Sequence, residues 1–162
     1  ETGVGALAFG AEAAYGFAVT SKSTASIGND LVTYFAKYEE FVRYGSKAEA
    51  EATKKAGGLV PKMHNGKPSR GAKWISQRGK ERNPKDLGDP KNYTHQILMR
   101  VKRGTLAWLK ERSIDYETIQ KESQHINSVL TKSNEPGSYG IGFGLLEEFN
   151  KRIIDVIVSK IK

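Results

Sequence analysis

The hydrophobic residues predict an amphipathic helix early in the chain. After Asn29-Asp30, which suits an N-cap, apolar residues recur at helical spacing: Leu31, Tyr34, Phe35, Tyr38 and Phe41. Residues 1–28 are mostly small and show neither helical nor strand periodicity, so we interpret them as a loosely helical N-terminal arm. The pattern therefore divides the chain into this arm and a folded domain, residues 29–162.

The next segment predicts a short strand and a second helix. Residues 41–44 are aromatic and β-branched, as strands are, and Gly45-Ser46 follows them as a break. The charged, Ala-rich run Lys47–Ala56 predicts a helix, in which Ser46 and Glu49 have the spacing of a capping box. The glycines after this run predict where the helix ends.

Two more strands are predicted in the middle of the chain, separated by basic loops. Residues 72–76 alternate in character, and residues 93–101 form the clearest strand pattern, with one face made of Tyr93, His95, Ile97, Met99 and Val101. Residues 62–70 and 77–92 lack apolar periodicity and are rich in Gly, Asn, Pro and basic residues, so they predict loops. One or two helical turns are predicted over residues 106–109.

The last third of the chain leaves several elements open. Residues 116–130 fit a helix or a loop, residues 138–143 fit a short strand or a glycine-rich loop, and residues 145–154 are amphipathic. The β-branched tail, residues 153–161, fits a helix or a strand. The order of elements predicts an α+β fold, with N-terminal helices packed on a small, mostly antiparallel sheet.

The positive charge is concentrated in the middle of the chain. The whole chain carries a net charge of +8, whereas residues 54–112 hold 16 Lys and Arg against 4 Asp and Glu, a local balance of +12. Such a segment is typical of a phosphate-binding groove or of a surface that binds an acidic protein, although a solubilising surface would have the same composition. The predicted substrate contacts in its loops are His64, Lys67, Arg70, Arg78, Lys80 and Arg82.

The residue types exclude several chemistries. The sequence contains no Cys, which removes disulfides and thiol nucleophiles, and its three His residues lack the spacing of metal ligands. It also lacks the phosphate-loop, zinc-protease, serine-hydrolase and EF-hand motifs, and we interpret the glycine-rich run 140–144 as a tight loop. We therefore expect neither a metal nor a cofactor. The apolar stretch 3–19 is too short to span a bilayer, so we also expect no transmembrane segment.

The remaining residue types suit RNA cleavage by acid–base chemistry. This reaction needs a base for the 2′-hydroxyl proton, an acid for the leaving oxygen and donors that stabilise the charge on phosphorus. We expect the catalytic candidates to converge on one sheet face: Arg43, Lys73, Ser76, Thr94 and His95 on predicted strands, and Tyr139 in a late turn. His64 is an alternative proton shuttle to His95, and a structural role fits either residue.

Aromatic residues are interleaved with the basic run and are candidates to stack on unpaired bases. They are Trp74, Tyr93 and Trp108. Core packing is the commoner role for the two Trp residues.

Several stretches carry a family resemblance: Phe41-Val42-Arg43-Tyr44-Gly45-Ser46, a helix ending at Gly57-Gly58-Leu59-Val60-Pro61, then Gly71-Ala72-Lys73-Trp74-Ile75-Ser76 and Tyr93-Thr94-His95. They resemble the C-terminal toxin domains of bacterial polymorphic toxins, including the effector tips of contact-dependent growth inhibition and Rhs proteins. The resemblance covers residues 41–154. Many such tips are ribonucleases of barnase-, EndoU- or RelE-like architecture, which implies a metal-independent endoribonuclease acting on RNA, with tRNA the expected substrate.

The resemblance also implies a biological setting. Such domains are secreted or displayed at the cell surface as part of a larger protein, act in the cytoplasm of a target bacterium, and are neutralised by a cognate, usually acidic, immunity protein. The arm before Ile27 would be the remnant of the region that helps these tips enter cells. The closely placed histidines of the EndoU pattern are not evident in this sequence.

Two other functions stay open. ADP-ribosyltransferase toxins, which use NAD, resemble this chain in an Arg-bearing strand, Arg43, followed by a strand that contains Ser76. They usually carry a late glutamate that orients the NAD ribose, whereas Glu147 and Glu148 are adjacent here and lie in a predicted helix. A non-enzymatic RNA- or ribosome-binding module would need only the basic middle of the chain.

Overall fold

A sheet of seven strands forms the centre of the computed structural model, which describes residues 37–88 and 90–161. The strands of this sheet are β1 (Tyr38–Gly45), β4 (Lys73–Gln77), β5 (His95–Lys102), β6 (Ser113–Asp115), β7 (Val129–Thr131), β8 (Ser138–Ile141) and β9 (Ile153–Lys160). A separate hairpin consists of β2 (Met63–His64) and β3 (Lys67–Pro68). The α-helices of the described residues are α1 (Lys47–Ala56), α2 (Thr105–Glu111), α3 (Glu122–Ile126) and α4 (Leu146–Asn150).

The sheet has the strand order β6-β7-β8-β4-β1-β5-β9. Its neighbouring strands are antiparallel, except that β6 and β7 run parallel. The predicted α+β class and mostly antiparallel sheet are therefore confirmed.

The helix predicted from residue 31 onwards was wrong at its end. Tyr38 and Phe41 lie in β1, which pairs with β5 along its whole length. Aromatic residues three apart fit a helix face, but eight cross-strand pairs outweigh that local spacing. The earlier part of this prediction and the arm, residues 1–28, lie outside the described residues.

Helix α1 begins and ends where its sequence predicts. Ser46 accepts a hydrogen bond from the Glu49 backbone N–H through its side-chain oxygen at 3.1 Å, and Gly57 adopts a left-handed conformation with φ of 70° after the last turn. The Glu49 carboxylate binds Arg43 of β1. Because a single residue separates β1 from α1, the first turn of the helix lies beside the end of that strand.

The structure also resolves the segments that the sequence left open. Residues 116–130 form a 3₁₀ turn, helix α3 and the start of β7, and residues 138–141 form strand β8. The amphipathic segment contains α4, and the β-branched tail is the strand β9. The loop at residues 62–70 contains the hairpin β2–β3, whose Asn65-Gly66 turn has positive φ at both residues.

One face of the sheet carries the hydrophobic core. Phe41 pairs with Met99, Met99 pairs with Val156, and Ile75 pairs with Tyr139, so these side chains share a face. The helices contribute further buried residues to the same cluster, among them Ala50, Leu109, Leu146 and Phe149. The predicted inward face of β5 is confirmed at Ile97, Met99 and Val101, which are fully buried.

The ladder between β1 and β4 is much shorter than the others around it. Among the described residues, β1 forms eight pairs with β5 but two with β4, Phe41 with Gln77 and Val42 with Ser76. Beyond Val42 this ladder stops, and the Arg43 side chain spans the gap by donating from Nη1 to the Trp74 carbonyl at 2.9 Å. We call this place the strand gap.

Candidate functional site

Three cavities in the described part of the chain lie around the strand gap. The helix-side cavity, of about 620 Å³, lies between the start of α1 and the first residue of β4. The middle cavity, of about 300 Å³, is lined by β1, β4, β8 and the loops after β4 and β7. The loop-side cavity, of about 430 Å³, lies between those two loops.

The helix-side cavity contains a cluster of three charged side chains, Arg43, Glu49 and Lys73. Arg43 Nε donates to Glu49 Oε2 at 2.5 Å, and Lys73 Nζ lies 3.6 Å from the same oxygen. Each residue comes from a different element: the end of β1, the first turn of α1 and the start of β4. Their side chains are 18%, 23% and 10% exposed, so the carboxylate is held between two largely buried cations.

The surroundings shift the pKa of two of these groups, Glu49 and Lys73. Burial would raise the pKa of Glu49, but the hydrogen bond and charge of Arg43, together with the charge of Lys73, outweigh it and lower that pKa. Burial and the charge of Arg43 lower the pKa of Lys73, although Glu49 opposes the shift. Glu49 is therefore ionised at neutral pH, and Lys73 releases a proton more readily than a free lysine does.

The middle cavity combines aromatic walls with paired polar groups. Tyr44, Trp74 and Tyr93 line it, and burial followed by the nearby charge of Glu81 raises the pKa of Tyr44. The side-chain oxygens of Ser76 and Ser138 lie 3.3 Å apart across β4 and β8. Its walls also carry charged side chains, which are Arg43, Glu81, Arg82, Lys132 and Glu135. This composition suits a planar, polar ligand that carries negative charge.

Trp74 is held in place on both sides. A Cβ added at Gly140 of β8 would lie 2.8 Å from the Trp74 ring, so the glycine allows the indole to lie against the strand. Lys132 Nζ lies 4.6 Å from the centroid of the Trp74 ring and 5.5 Å from that of Tyr116. Trp74 therefore positions Lys132, and Tyr44 and Tyr93 are better placed than Trp74 to meet a base.

The structure brings only some of the predicted catalytic residues together. Arg43 and Lys73 share the Glu49 carboxylate, and Ser76 lines the middle cavity with Arg43. Tyr139 is 6% exposed and packs edge-on against Phe41 at 6.4 Å, so it belongs to the core, and burial raises its pKa. Thr94 and His95 bind each other at 2.8 Å at the start of β5 and line none of the three cavities.

The predicted substrate contacts are also divided. Arg82 lines the middle and loop-side cavities, and Lys80 lines the loop-side cavity. Arg78 pairs with Glu40 at 2.6 Å on the sheet. The others lie outside the cavities: His64 and Lys67 in the exposed hairpin, and Arg70 over the Phe143 ring at 5.9 Å.

Sequence reasoning missed several residues of these cavities, among them Tyr44, Glu49, Lys132 and Glu135. Glu49 has a strong local signal as the partner of an N-cap, which hid its second role. Glu135 precedes the Pro136-Gly137 turn before β8, and the pairing of β8 with β4 carries this turn to the site. Because these residues meet through strand order, spacing alone could not have found them.

Residues 37–88 and 90–161 hold neither a cluster of metal ligands nor a helix that could span a membrane. Within these ranges, no group of three or more His, Cys, Asp or Glu is placed to hold a metal ion. The helices in the same ranges are too short or too polar to cross a membrane.

Comparison with known proteins adds no family to these observations. No protein-family model matches the chain, and no curated protein matches it in sequence.

Proposed function

We propose that this protein is a ribonuclease that cleaves RNA at the Arg43–Glu49–Lys73 cluster. The observation that carries the proposal is one carboxylate held between two largely buried cations in the largest of the three cavities. A carboxylate can take a proton from a hydroxyl, and adjacent cations can stabilise a phosphorane and protonate the leaving oxygen. The cluster thus supplies all three roles without using a histidine.

In the proposed reaction, Glu49 accepts the proton of the RNA 2′-hydroxyl. The 2′-oxygen forms a bond to phosphorus, and the bond between phosphorus and the 5′-oxygen breaks. Lys73 gives its proton to that leaving oxygen, so the products are a 2′,3′-cyclic phosphate and a 5′-hydroxyl end. Arg43 already uses Nε and Nη1 for Glu49 and the Trp74 carbonyl, and we assign Nη2 to the phosphorane oxygens.

The pKa directions support this division of labour. The lowered pKa of Glu49 keeps the base ionised across neutral pH, at the expense of basicity. The lowered pKa of Lys73 makes its ammonium a better proton donor than an ordinary lysine. The setting implied by the family resemblance fits the same proposal: a toxin domain acting in the cytoplasm of a target bacterium, with an acidic immunity protein covering the basic site.

The test is cleavage of total bacterial RNA by the purified chain in EDTA, read on a denaturing gel. We expect discrete fragments with 2′,3′-cyclic phosphate ends, and a loss of about 10²–10⁴-fold in rate for Glu49→Gln. Glu51→Gln is the matched control, because Glu51 is an exposed glutamate on the same helix. Equal rates for the two variants, or intact RNA with the wild-type chain, would contradict the proposal.

A second candidate function is ADP-ribosyl transfer from NAD. It is favoured by the middle cavity, which is lined by Arg43, Ser76 and a late glutamate, Glu135. Glu147 and Glu148, the glutamates noted in the sequence, are exposed on α4. If this function is correct, labelled NAD modifies a component of a bacterial lysate, Glu135→Gln stops the labelling, and Glu148→Gln does not.

A further inference from the structure

The three cavities are connected through shared side chains. Arg43 and Tyr93 line both the helix-side cavity and the middle cavity. Arg82, Glu135 and Ser138 line both the middle cavity and the loop-side cavity. The three cavities therefore adjoin one another, from the start of α1 past the strand gap to the loop before β8, and we call them together the groove.

Positive charge extends along this whole groove. Among the described residues that line it, the cationic side chains are Arg43, Lys62, Lys73, Lys80, Arg82 and Lys132. Each of the three cavities contains at least two of them, whereas a site for a single phosphate would need only one cluster. A ligand with several phosphates in a row matches this distribution.

The orientation of one cation is fixed by its neighbours. Lys132 lies over the rings of Trp74 and Tyr116, which limits the freedom of a side chain that is usually mobile on a surface. A lysine held in this way loses less conformational entropy when it binds a phosphate. Lys132 therefore offers the middle cavity an oriented cation for a phosphate, on the side formed by the loop after β7.

The same cavity also offers contacts to bases. Tyr44 and Tyr93 are half-buried on its walls, where a planar base can stack, and the carboxylates of Glu81 and Glu135 can accept hydrogen bonds from base N–H groups. In a duplex the faces and pairing edges of the bases are occupied. Only an unpaired strand can use the aromatic and acidic walls of the cavity together with its cations.

We propose that the groove binds a single-stranded segment of RNA, several nucleotides long. The scissile phosphate lies at the Arg43–Glu49–Lys73 cluster, one neighbouring base occupies the middle cavity, and the strand continues past Lys132 and Arg82 to Lys80. This inference rests on the proposed ribonuclease function, since it names the form of RNA that the site accepts.

Binding can be measured separately from cleavage with the full chain carrying Glu49→Gln. The probe is a fluorescent single-stranded octanucleotide of 2′-O-methyl RNA, which lacks the attacking hydroxyl, and the readout is fluorescence anisotropy over a range of salt concentrations. We expect the octanucleotide to bind more tightly than a dinucleotide or a duplex of the same sequence. Lys80→Ala combined with Lys132→Ala should weaken binding and reduce the salt slope by about 0.7 for each lost contact.

The matched control is Lys55→Ala combined with Lys110→Ala, which removes the same charge from exposed helical positions outside the groove. Equal losses of affinity in the two double variants would overturn the proposal. Equal affinity for the duplex and the single strand would also overturn it. Displacement of the octanucleotide by NAD, with NAD bound more tightly, would assign the groove to NAD instead.

Cleavage assays separate this inference from the function on which it rests. If the groove binds the octanucleotide as expected but wild-type protein leaves RNA intact, the catalytic proposal fails and the binding groove stands. If wild-type protein cleaves a dinucleotide and an octanucleotide with equal kcat/KM, the catalytic cluster stands and the extended groove is wrong.

Discussion

The two sides of strand β1 differ in how they are held. On the β5 side, eight residue pairs continue to the end of the strand and cover the buried hydrophobic core. On the β4 side, two pairs are followed by the strand gap, where an arginine replaces the ladder. The first side is paired along its whole length, and the second is open beyond Val42, where the helix-side and middle cavities lie. The proposed site thus lies on the side of β1 that is less fully paired.

The largest expected effect comes from a substitution in the hydrophobic core that β1 covers. Phe41→Ala removes a ring that is 1% exposed and packs against Tyr139, so we expect a loss of roughly 3–5 kcal/mol in the free energy of unfolding. Chemical denaturation measures it. Leu87→Ala, at a half-buried residue of the middle cavity, is the control and should cost clearly less. Equal losses would mean that Phe41 contributes no more to stability than a half-buried residue of the middle cavity.

A smaller effect on stability, but a large one on activity, is expected at the strand gap. Arg43→Lys keeps the charge but cannot bind Glu49 and the Trp74 carbonyl together through a planar fork. We expect the free energy of unfolding to decrease by roughly 1–3 kcal/mol and the rate of RNA cleavage to fall by about 10²-fold or more. Arg78→Lys changes an exposed arginine that pairs with Glu40, and it should affect neither measurement strongly.

The smallest predicted change is a shift in pH dependence. The pKa of Lys73 lies below the ordinary lysine value of about 10.4, so loss of its proton should lower the cleavage rate at a pH below that value. Lys73→Arg, which stays protonated, should abolish this alkaline decrease while reducing the rate at neutral pH. An unchanged alkaline limb in the pH–rate profile would show that Lys73 does not supply the proton.

Elements with strong local signals could be predicted from the sequence. Helix α1 is bounded by Ser46 and Gly57 as its caps predict, and the predicted inward face of β5 is buried at Ile97, Met99 and Val101. The prediction of the early helix was wrong at Phe41 because the spacing of aromatic residues there fits both a helix and a strand. Pairing with β5 decides between the two. The β-branched tail was ambiguous for the same reason, until its partner β5 was known.

The site was less predictable than the fold. Arg43, Lys73 and Ser76 were found because their strands could be recognised, although which strands are neighbours could not. Glu49 lies only six residues from Arg43, yet their contact depends on the immediate start of α1 after β1. His95 attracted attention through its chemistry, and the structure pairs it with Thr94 away from the cavities.

The position of β9 in the chain has a consequence for when the sheet can be completed. This strand follows all other described elements in sequence, yet it pairs with β5 in the same sheet and contributes Val156 to the core. Contacts between segments so far apart form slowly and late. A chain that emerges from a ribosome therefore cannot close this core until residues 153–160 arrive. The proposed site stands on the same sheet, so it is complete only after that point.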